Sequence, residues 1–304
     1  MTVDMTVRIA GVELKNPVIA ASGTFAFGEE YRLYMDPACL GGISLKALTQ
    51  EKRQGNPPVR IAETASGVLN SVGLQNPGVN GFIASYWPRV SKIDTVKIAN
   101  IAGSTIEEYV YVAERLNEIE IDMYEVNVSC PNVKEGGVNF GTDARLLTDV
   151  VSRVKKIAAK PLIVKLTPNV TRIAELAKAA QDAGADCLSL INTITGMAIC
   201  AKTRKPVLAN VTGGLSGPAI KPVALRMVWE VAKAVDIPVI GMGGIMTGVD
   251  AAEFMIAGAA AVMAGTATMC CPDALPRIIE ELEGFCAEQN IDRVSDLTGT
   301  LVTP

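Results

Sequence analysis

The sequence contains no histidine, and that zero removes several chemistries at once. A Ser-His-Asp triad, a Cys-His pair and His-ligated zinc or iron are all excluded. Proton transfer is left to Cys, Lys, Tyr, Asp or Glu. Aromatic residues make up only 5%, too few for a base-stacking platform. With 28 Lys and Arg against 32 Asp and Glu, the net charge is −4, without the basic excess that nucleic acid demands. No apolar run reaches membrane-spanning length without a charge or a Gly or Pro break, and no signal-peptide pattern opens the chain. Seven cysteines, at positions 39, 130, 187, 200, 270, 271 and 286, form neither a paired framework nor a Cys-x-x-Cys motif. The expected compartment is a reducing cytoplasm.

What is present is a chain of 304 residues, 49% hydrophobic, long enough to bury roughly three-quarters of its surface without staples. Short β-rich runs alternate with helical periodicity. Candidate strands lie at 17–22, 42–48, 96–101, 123–130, 162–167, 187–193, 238–244 and 261–267. Helical patterns fill 104–118, 142–158, 171–183, 218–235, 247–257 and 272–289, with weaker ones at 29–35 and 77–90. In 171–183, Ile173, Leu176, Ala177 and Ala180 form one apolar stripe, and Gly184 is placed to end the helix. Eight continuously apolar strands alternating with helices predict an α/β fold, a (β/α)8 TIM barrel, in one domain spanning 1–304. An open doubly wound sheet is the other arrangement this pattern allows. Residues 7–14, turning at Ala10-Gly11, predict an N-terminal β-hairpin closing the bottom of the barrel. Two long connections, 49–94 and 194–217, are rich in Gly, Pro and Asn and predict long loops at the C-terminal face.

Several polar residues sit where apolar strands should exclude them. Lys46 and Lys165 interrupt two strands near their C-terminal ends, a costly placement unless the ammonium meets an anion. A lysine whose stem packs while its head reaches solvent is the simpler alternative, less suited to a covered barrel strand. Asn100, Asn127 and Asn192 end three strands with side-chain amides that must be satisfied, and they suit a ring bearing ureide or imide groups. Gly241-Met-Gly243-Gly244 and Gly265-Thr266 end the last two strands, the usual place for a phosphate in this fold. No Gly-x-Gly-x-x-Gly follows a strand, so a Rossmann dinucleotide turn is not expected. Cys187 and Cys200 fit the ordinary reading of a thiol as a small buried hydrophobe. Cys130, followed by Pro131 and the Gly136-Gly137 loop, is expected at the mouth instead, where a thiol near pKa 8.5 needs little lowering to act as a base.

Taken together, the motifs resemble the class 1 dihydroorotate dehydrogenases over essentially the whole chain. They are Asn70-Ser-Val-Gly-Leu-Gln-Asn-Pro77, Asn127-Val-Ser-Cys-Pro-Asn132, Val164-Lys165-Leu, Ile191-Asn-Thr193, Gly213-Gly-Leu-Ser-Gly-Pro218, Gly241-Met-Gly-Gly244 and Gly265-Thr266. The Gly55-Asn-Pro-Pro58, Glu63-Thr-Ala-Ser-Gly67 and Lys202-Thr-Arg-Lys-Pro206 segments are similar to the 1B subgroup. Relatives often carry Ala-Ile or similar at Ser71-Val72, where contacts are largely through the backbone.

The resemblance implies an FMN enzyme that oxidises dihydroorotate to orotate in pyrimidine biosynthesis. It implies FMN contacts from Ser22, Lys46, Ala47, Asn100, Asn127, Lys165 and Ile191, with the phosphate on Gly217, Gly243, Gly244, Gly265 and Thr266. Substrate contacts would come from Lys46, Asn70, Ser71, Val72, Gly73, Leu74, Asn127, Asn132, Asn192 and Thr193. Cys130 would be the general base, hydride would pass to flavin N5, and Lys165 would stabilise charge on the reduced ring. The 131–140 loop would open for substrate and close over it. The subgroup further implies a homodimer of this chain and a second subunit carrying FAD and an iron–sulfur cluster that passes electrons to NAD. No metal ligand set is implied on this chain. Competing expectations are another FMN-barrel oxidoreductase of the dihydropyrimidine type, or a catalytically idle phosphate-binding scaffold.

Overall fold

The computed structural model describes residues 3–129 and 140–304. Eight short strands close into a parallel barrel: β1 (Val18–Ala20), β2 (Gly42–Ser44), β3 (Val96–Ile101), β4 (Met123–Asn127), β5 (Leu162–Lys165), β6 (Cys187–Leu190), β7 (Val239–Met242) and β8 (Ala261–Ala264). Each pairs with its neighbours in chain order, and β8 closes onto β1 through Val262↔Val18 and Ala264↔Ala20. The closed ring settles the choice against an open sheet. Six of the eight strands are buried at every position, as expected when helices cover the outside and side chains fill the inside.

Helices α1 (Val79–Ser85), α2 (Trp87–Val90), α3 (Ile106–Leu116), α4 (Ala144–Ile157), α5 (Ile173–Asp182), α6 (Lys221–Ala232), α7 (Gly248–Ile256), α8 (Thr266–Cys270) and α9 (Ala274–Glu288) pack around the ring. Three of them, α3, α4 and α7, start on a side-chain cap. Thr105 accepts from the Glu108 amide at α3, and Asp143 accepts from the Arg145 and Leu146 amides at α4. Thr247 and Asp250 form a reciprocal capping box at α7. In α5, Ile173, Leu176, Ala177 and Ala180 are the buried positions, the stripe expected from sequence. The weak pattern at 29–35 becomes a single 3-10 turn, Glu29–Tyr31, and that at 77–90 breaks into α1 and α2 at Tyr86. The N-terminal hairpin pairs Val7–Ile9 with Val12–Leu14 and buries Val7, Ile9 and Leu14. Lys15 Nζ donates to the carbonyls of Ala38 and Asp94, and Asn16 Oδ1 accepts from the Gly41 amide. These residues precede β2 and β3, so the chain after the hairpin is tied to the bottom of the barrel.

The two long connections are more ordered than their composition predicts. Ile61–Thr64, Gly67–Asn70, Ile194–Met197 and Thr212–Ser216 form one four-stranded antiparallel sheet, with the strand from 212 lying between those from 194 and 67. The connection after β2 thus pairs with the connection after β6 and roofs part of the barrel mouth. Glycine hid this sheet. A Cβ on Gly214 would lie 2.0 Å from Thr193 Oγ1, so the strand tolerates no side chain there. Cys187 is buried in β6, and burial pushes its thiol well above the ordinary value. Cys200 departs from expectation. It sits half-buried in an outlying hairpin, Ile199–Cys200 with Lys205–Pro206, and hydrogen bonding from Thr203 lowers its thiol. Among the described residues no helix is long and apolar enough to cross a membrane.

Candidate active site

A cavity of about 240 Å³ opens at the C-terminal ends of the barrel strands, beneath the antiparallel sheet. Lys46, Asn127 and Lys165 face it from the ends of β2, β4 and β5, and Ile191 and Asn192 from just after β6. Parallel strands deliver these side chains to one place because every strand ends on the same face. Lys165 is only 5% exposed and forms no ion pair with any described carboxylate. A buried ammonium without a protein counter-charge calls for an electron-rich ligand. Asn127 Oδ1 accepts from the Ser129 amide at 3.2 Å and from Asn192 Nδ2 at 3.3 Å. That orients the Asn127 carboxamide and leaves its own Nδ2 hydrogens without a partner among the described residues. Asn192 is fixed in turn by accepting from the Thr193 amide at 2.8 Å. Ser22, also on the lining, donates to the Leu45 carbonyl at 2.7 Å.

The opposite wall is mostly backbone. Gly217, Gly243, Gly244, Gly265 and Thr266 border the cavity. Gly243 and Gly244 have φ of 127° and 83°, which side chains resist, and a Cβ on Gly244 would lie 2.8 Å from Lys221 Cβ and 2.9 Å from the Gly217 carbonyl. Bare backbone at such close quarters makes a concave cradle for an anion. The nearby ammonium is already committed: Lys221 Nζ bonds Asp250 Oδ1 at 2.6 Å and Glu253 Oε2 at 2.7 Å. Burial works to lower the Lys221 pKa, but these carboxylates outweigh it and hold the group above its ordinary value. Thr266 Oγ1 donates to Ser216 Oγ at 2.9 Å, joining the cradle to the roofing sheet.

The roof supplies Asn70, Val72, Gly73 and Leu74. Asn76 braces this segment by accepting from the Thr49 and Gly78 amides and donating to the Leu74 carbonyl. Asn56 adds a bond to the Ser71 carbonyl at 2.8 Å. A wider groove of about 840 Å³ meets the cavity at Gly23, Lys46 and Val72 and is bordered by Lys52, Arg53 and Arg89, a cationic approach for an anion.

Three expected contacts do not lie on the cavity wall. Ala47 and Ser71 are buried away from it, and Asn100 is wholly buried. Cys130 and Asn132, together with the 131–139 part of the expected lid, lie outside the described residues. One buried group escaped the sequence reading. Glu125, in the middle of β4, is fully buried and accepts from Ser44, Asn100 and Ser189. A charge inside an apolar strand was the signal that found the two lysines, and it applied equally to this glutamate.

The fold and cavity therefore define a class: a (β/α)8 barrel whose C-terminal face pairs an anion cradle with a wall of amides and a buried ammonium. Comparison with known proteins gives the family. The dihydroorotate dehydrogenase family model matches residues 4–285, and this chain belongs to that family. It is 56% identical over 299 residues to the dihydroorotate dehydrogenase B (NAD(+)) catalytic subunit of Alkaliphilus metalliredigens, covering 98% of this chain and 99% of that one. The subunit of the same name from Citrifermentans bemidjiense is 54% identical, with 98% of each chain covered. A solved Eimeria tenella dihydroorotate dehydrogenase, in complex with ferulenol, superposes with a TM-score of 0.81 at 22% identity over 98% of this chain and 88% of that one, a likeness of fold.

Proposed function

We propose that this chain oxidises dihydroorotate to orotate in pyrimidine biosynthesis, using FMN, and that its electrons reach NAD through a partner subunit. The observation that carries the reading is the convergence of Lys46, Asn127, Lys165 and Asn192 opposite a glycine cradle in one cavity. The family is flavin-dependent, and the residues present fit FMN in particular. The cradle around Gly244, which a Cβ would fill, suits a terminal phosphate held by backbone N–H groups. The Lys165 ammonium and Asn127 Nδ2, both without a partner among the described residues, suit the electron-rich carbonyls of a flavin pyrimidine ring. FMN, when bound, supplies the acceptor for a hydride leaving the substrate ring.

The chain's own residues then have separable tasks. Gly217, Gly243, Gly244, Gly265 and Thr266 hold the phosphate. Ser22, Lys46, Ala47, Asn100, Asn127, Lys165 and Ile191 surround the ring system, with Ala47 and Asn100 acting from behind the cavity wall. Lys165, 5% exposed, stabilises negative charge on the pyrimidine edge, and burial strengthens such an interaction. Asn127, Asn132, Asn192 and Thr193, with Lys46 and the 70–74 segment, orient the substrate's amides and carboxylate. Cys130, as thiolate, takes the proton from the ring carbon beside the substrate carbonyl, since no histidine exists to do so. The partner is an electron-transfer subunit with FAD and an iron–sulfur cluster, docked on a homodimer of this chain in the cytoplasm. Mass spectrometry of the cofactor released from purified protein tests the cavity assignment. FMN is the expected product; FAD or no flavin would overturn it.

A further inference from the structure

The glycine cradle is carried by two turns that come from different parts of the chain. Gly217 follows the roofing strand Thr212–Ser216 and leads through Pro218–Ile220 into α6 at Lys221. Gly243 and Gly244 follow β7 and lead through Met246 and Thr247 into α7. The two turns touch: a Cβ built on Gly244 would lie 2.9 Å from the Gly217 carbonyl oxygen and 3.0 Å from the Lys221 amide nitrogen. Gly217, Gly243 and Gly244, with φ of 97°, 127° and 83°, permit this approach but do not enforce it, since glycine gives up the most backbone freedom on ordering.

One carboxylate holds both turns. Asp250 Oδ2 accepts from the Met246 amide at 2.9 Å, the Thr247 amide at 2.9 Å and the Thr247 hydroxyl at 3.0 Å, which fixes the end of the second turn. Its other oxygen accepts from Lys221 Nζ at 2.6 Å, which brings in the first. Only 14% of the Asp250 side chain and 26% of the Lys221 side chain are exposed, so the pair is less screened than a surface bridge. An ammonium beside an anion cradle would ordinarily serve the anion. Lys221 is turned instead to Asp250 and Glu253, and neither Lys221 nor Asp250 lies on the cavity wall.

We propose that Lys221 and Asp250 are positioning residues for the cradle: their ion pair clamps the turn bearing Gly217 against the turn bearing Gly243 and Gly244, so that the backbone concavity exists before its ligand arrives. Preorganisation of this kind raises affinity by removing the cost of ordering the turns at binding. The inference rests on FMN occupying the cavity with its phosphate on these glycines. It gives the pair a task in ligand binding that joining α6 to α7 does not require.

The test uses the full chain freed of flavin and two ligands, FMN and riboflavin, which differ by the phosphate alone, with dissociation constants read from flavin fluorescence. Wild type is expected to prefer FMN by about a hundredfold or more, the worth of a pair of hydrogen bonds to a charged group. Lys221→Met should cut that preference by about tenfold, the cost of re-ordering one freed residue, and leave the riboflavin constant unchanged. Asp250→Asn, near-isosteric but without the charge that holds Lys221, carries the same expectation if Lys221→Met does not fold. Lys221→Arg, which keeps the charge, should retain the preference. Glu253→Gln, which leaves the Lys221–Asp250 pair in place, should retain it too. An unchanged preference in folded Lys221→Met or Asp250→Asn protein would overturn the proposal. So would an equal loss of affinity for both ligands, which would show that the pair holds the fold and not the cradle. Wild type that binds FMN and riboflavin equally would remove the phosphate from the cradle, and the proposal with it, while leaving a flavin in the cavity. Failure of wild type to bind either flavin would overturn the cavity assignment itself.

Discussion

In the proposed reaction Cys130 would move a proton and Lys165 would hold a fixed charge, and the sequence marks the two unequally. Lys165 was legible because an ammonium inside an apolar strand demands a reason, and the structure places it 5% exposed on the cavity wall. Asn127 and Asn192 were legible on the same logic, and they meet there. Glu125 carried the same signal, but its partners Ser44, Asn100 and Ser189 come from three other strands, a neighbourhood that only barrel closure creates. Cys130→Ala should retain flavin and slow its anaerobic reduction by dihydroorotate by about 10²–10⁴, the usual cost of removing a general base. Stopped-flow reduction at the wild-type rate would assign the proton to another group.

At the scale of elements, the eight strands and the long helices were readable because their apolar periodicities, continuous or 3.6-fold, report directly on burial. The roofing sheet was not. Its strands are short and one of its two inner strands runs Thr212-Gly-Gly-Leu-Ser216, where glycine reads as a turn but serves close packing against Thr193. Helix α7 offers a check on how elements are joined. Asp250 closes its capping box and also binds Lys221 of α6. Burial raises the Asp250 pKa, but hydrogen bonds from Lys221, Met246 and Thr247 outweigh it, and the net shift is below the ordinary value of 3.8. A lowered carboxyl stabilises the fold above its unfolded pKa, and that contribution disappears as pH falls through the folded value. Asp250→Asn should therefore cost about 1 kcal/mol near neutrality, allowing for screening of a partly exposed pair, or roughly 1–2 °C in Tm. Calorimetry should show this deficit shrinking as pH drops below about 3.8. A deficit independent of pH would mean that the lost charge is not its source.

For the whole molecule, the issue is where the electrons go. The cavity is built from one face of one barrel, the sequence carries no dinucleotide turn after any strand, and its seven cysteines lack the spacing of an iron–sulfur site. On the proposed function, electrons taken from dihydroorotate would cross to a partner subunit before reaching NAD. The isolated chain should turn over dihydroorotate with an artificial dye acceptor and fail to reduce NAD+. Robust NAD+ reduction by the lone chain would place the whole route within it.

The central claim, that the mouth cavity binds a flavin and presents dihydroorotate to it, has a direct optical test. Purified protein is titrated with dihydroorotate under strict exclusion of oxygen while its visible absorbance is followed. The account predicts a yellow protein whose flavin absorbance bleaches as orotate accumulates in equal amount. A colourless protein, or a flavin spectrum that dihydroorotate leaves untouched, would contradict it.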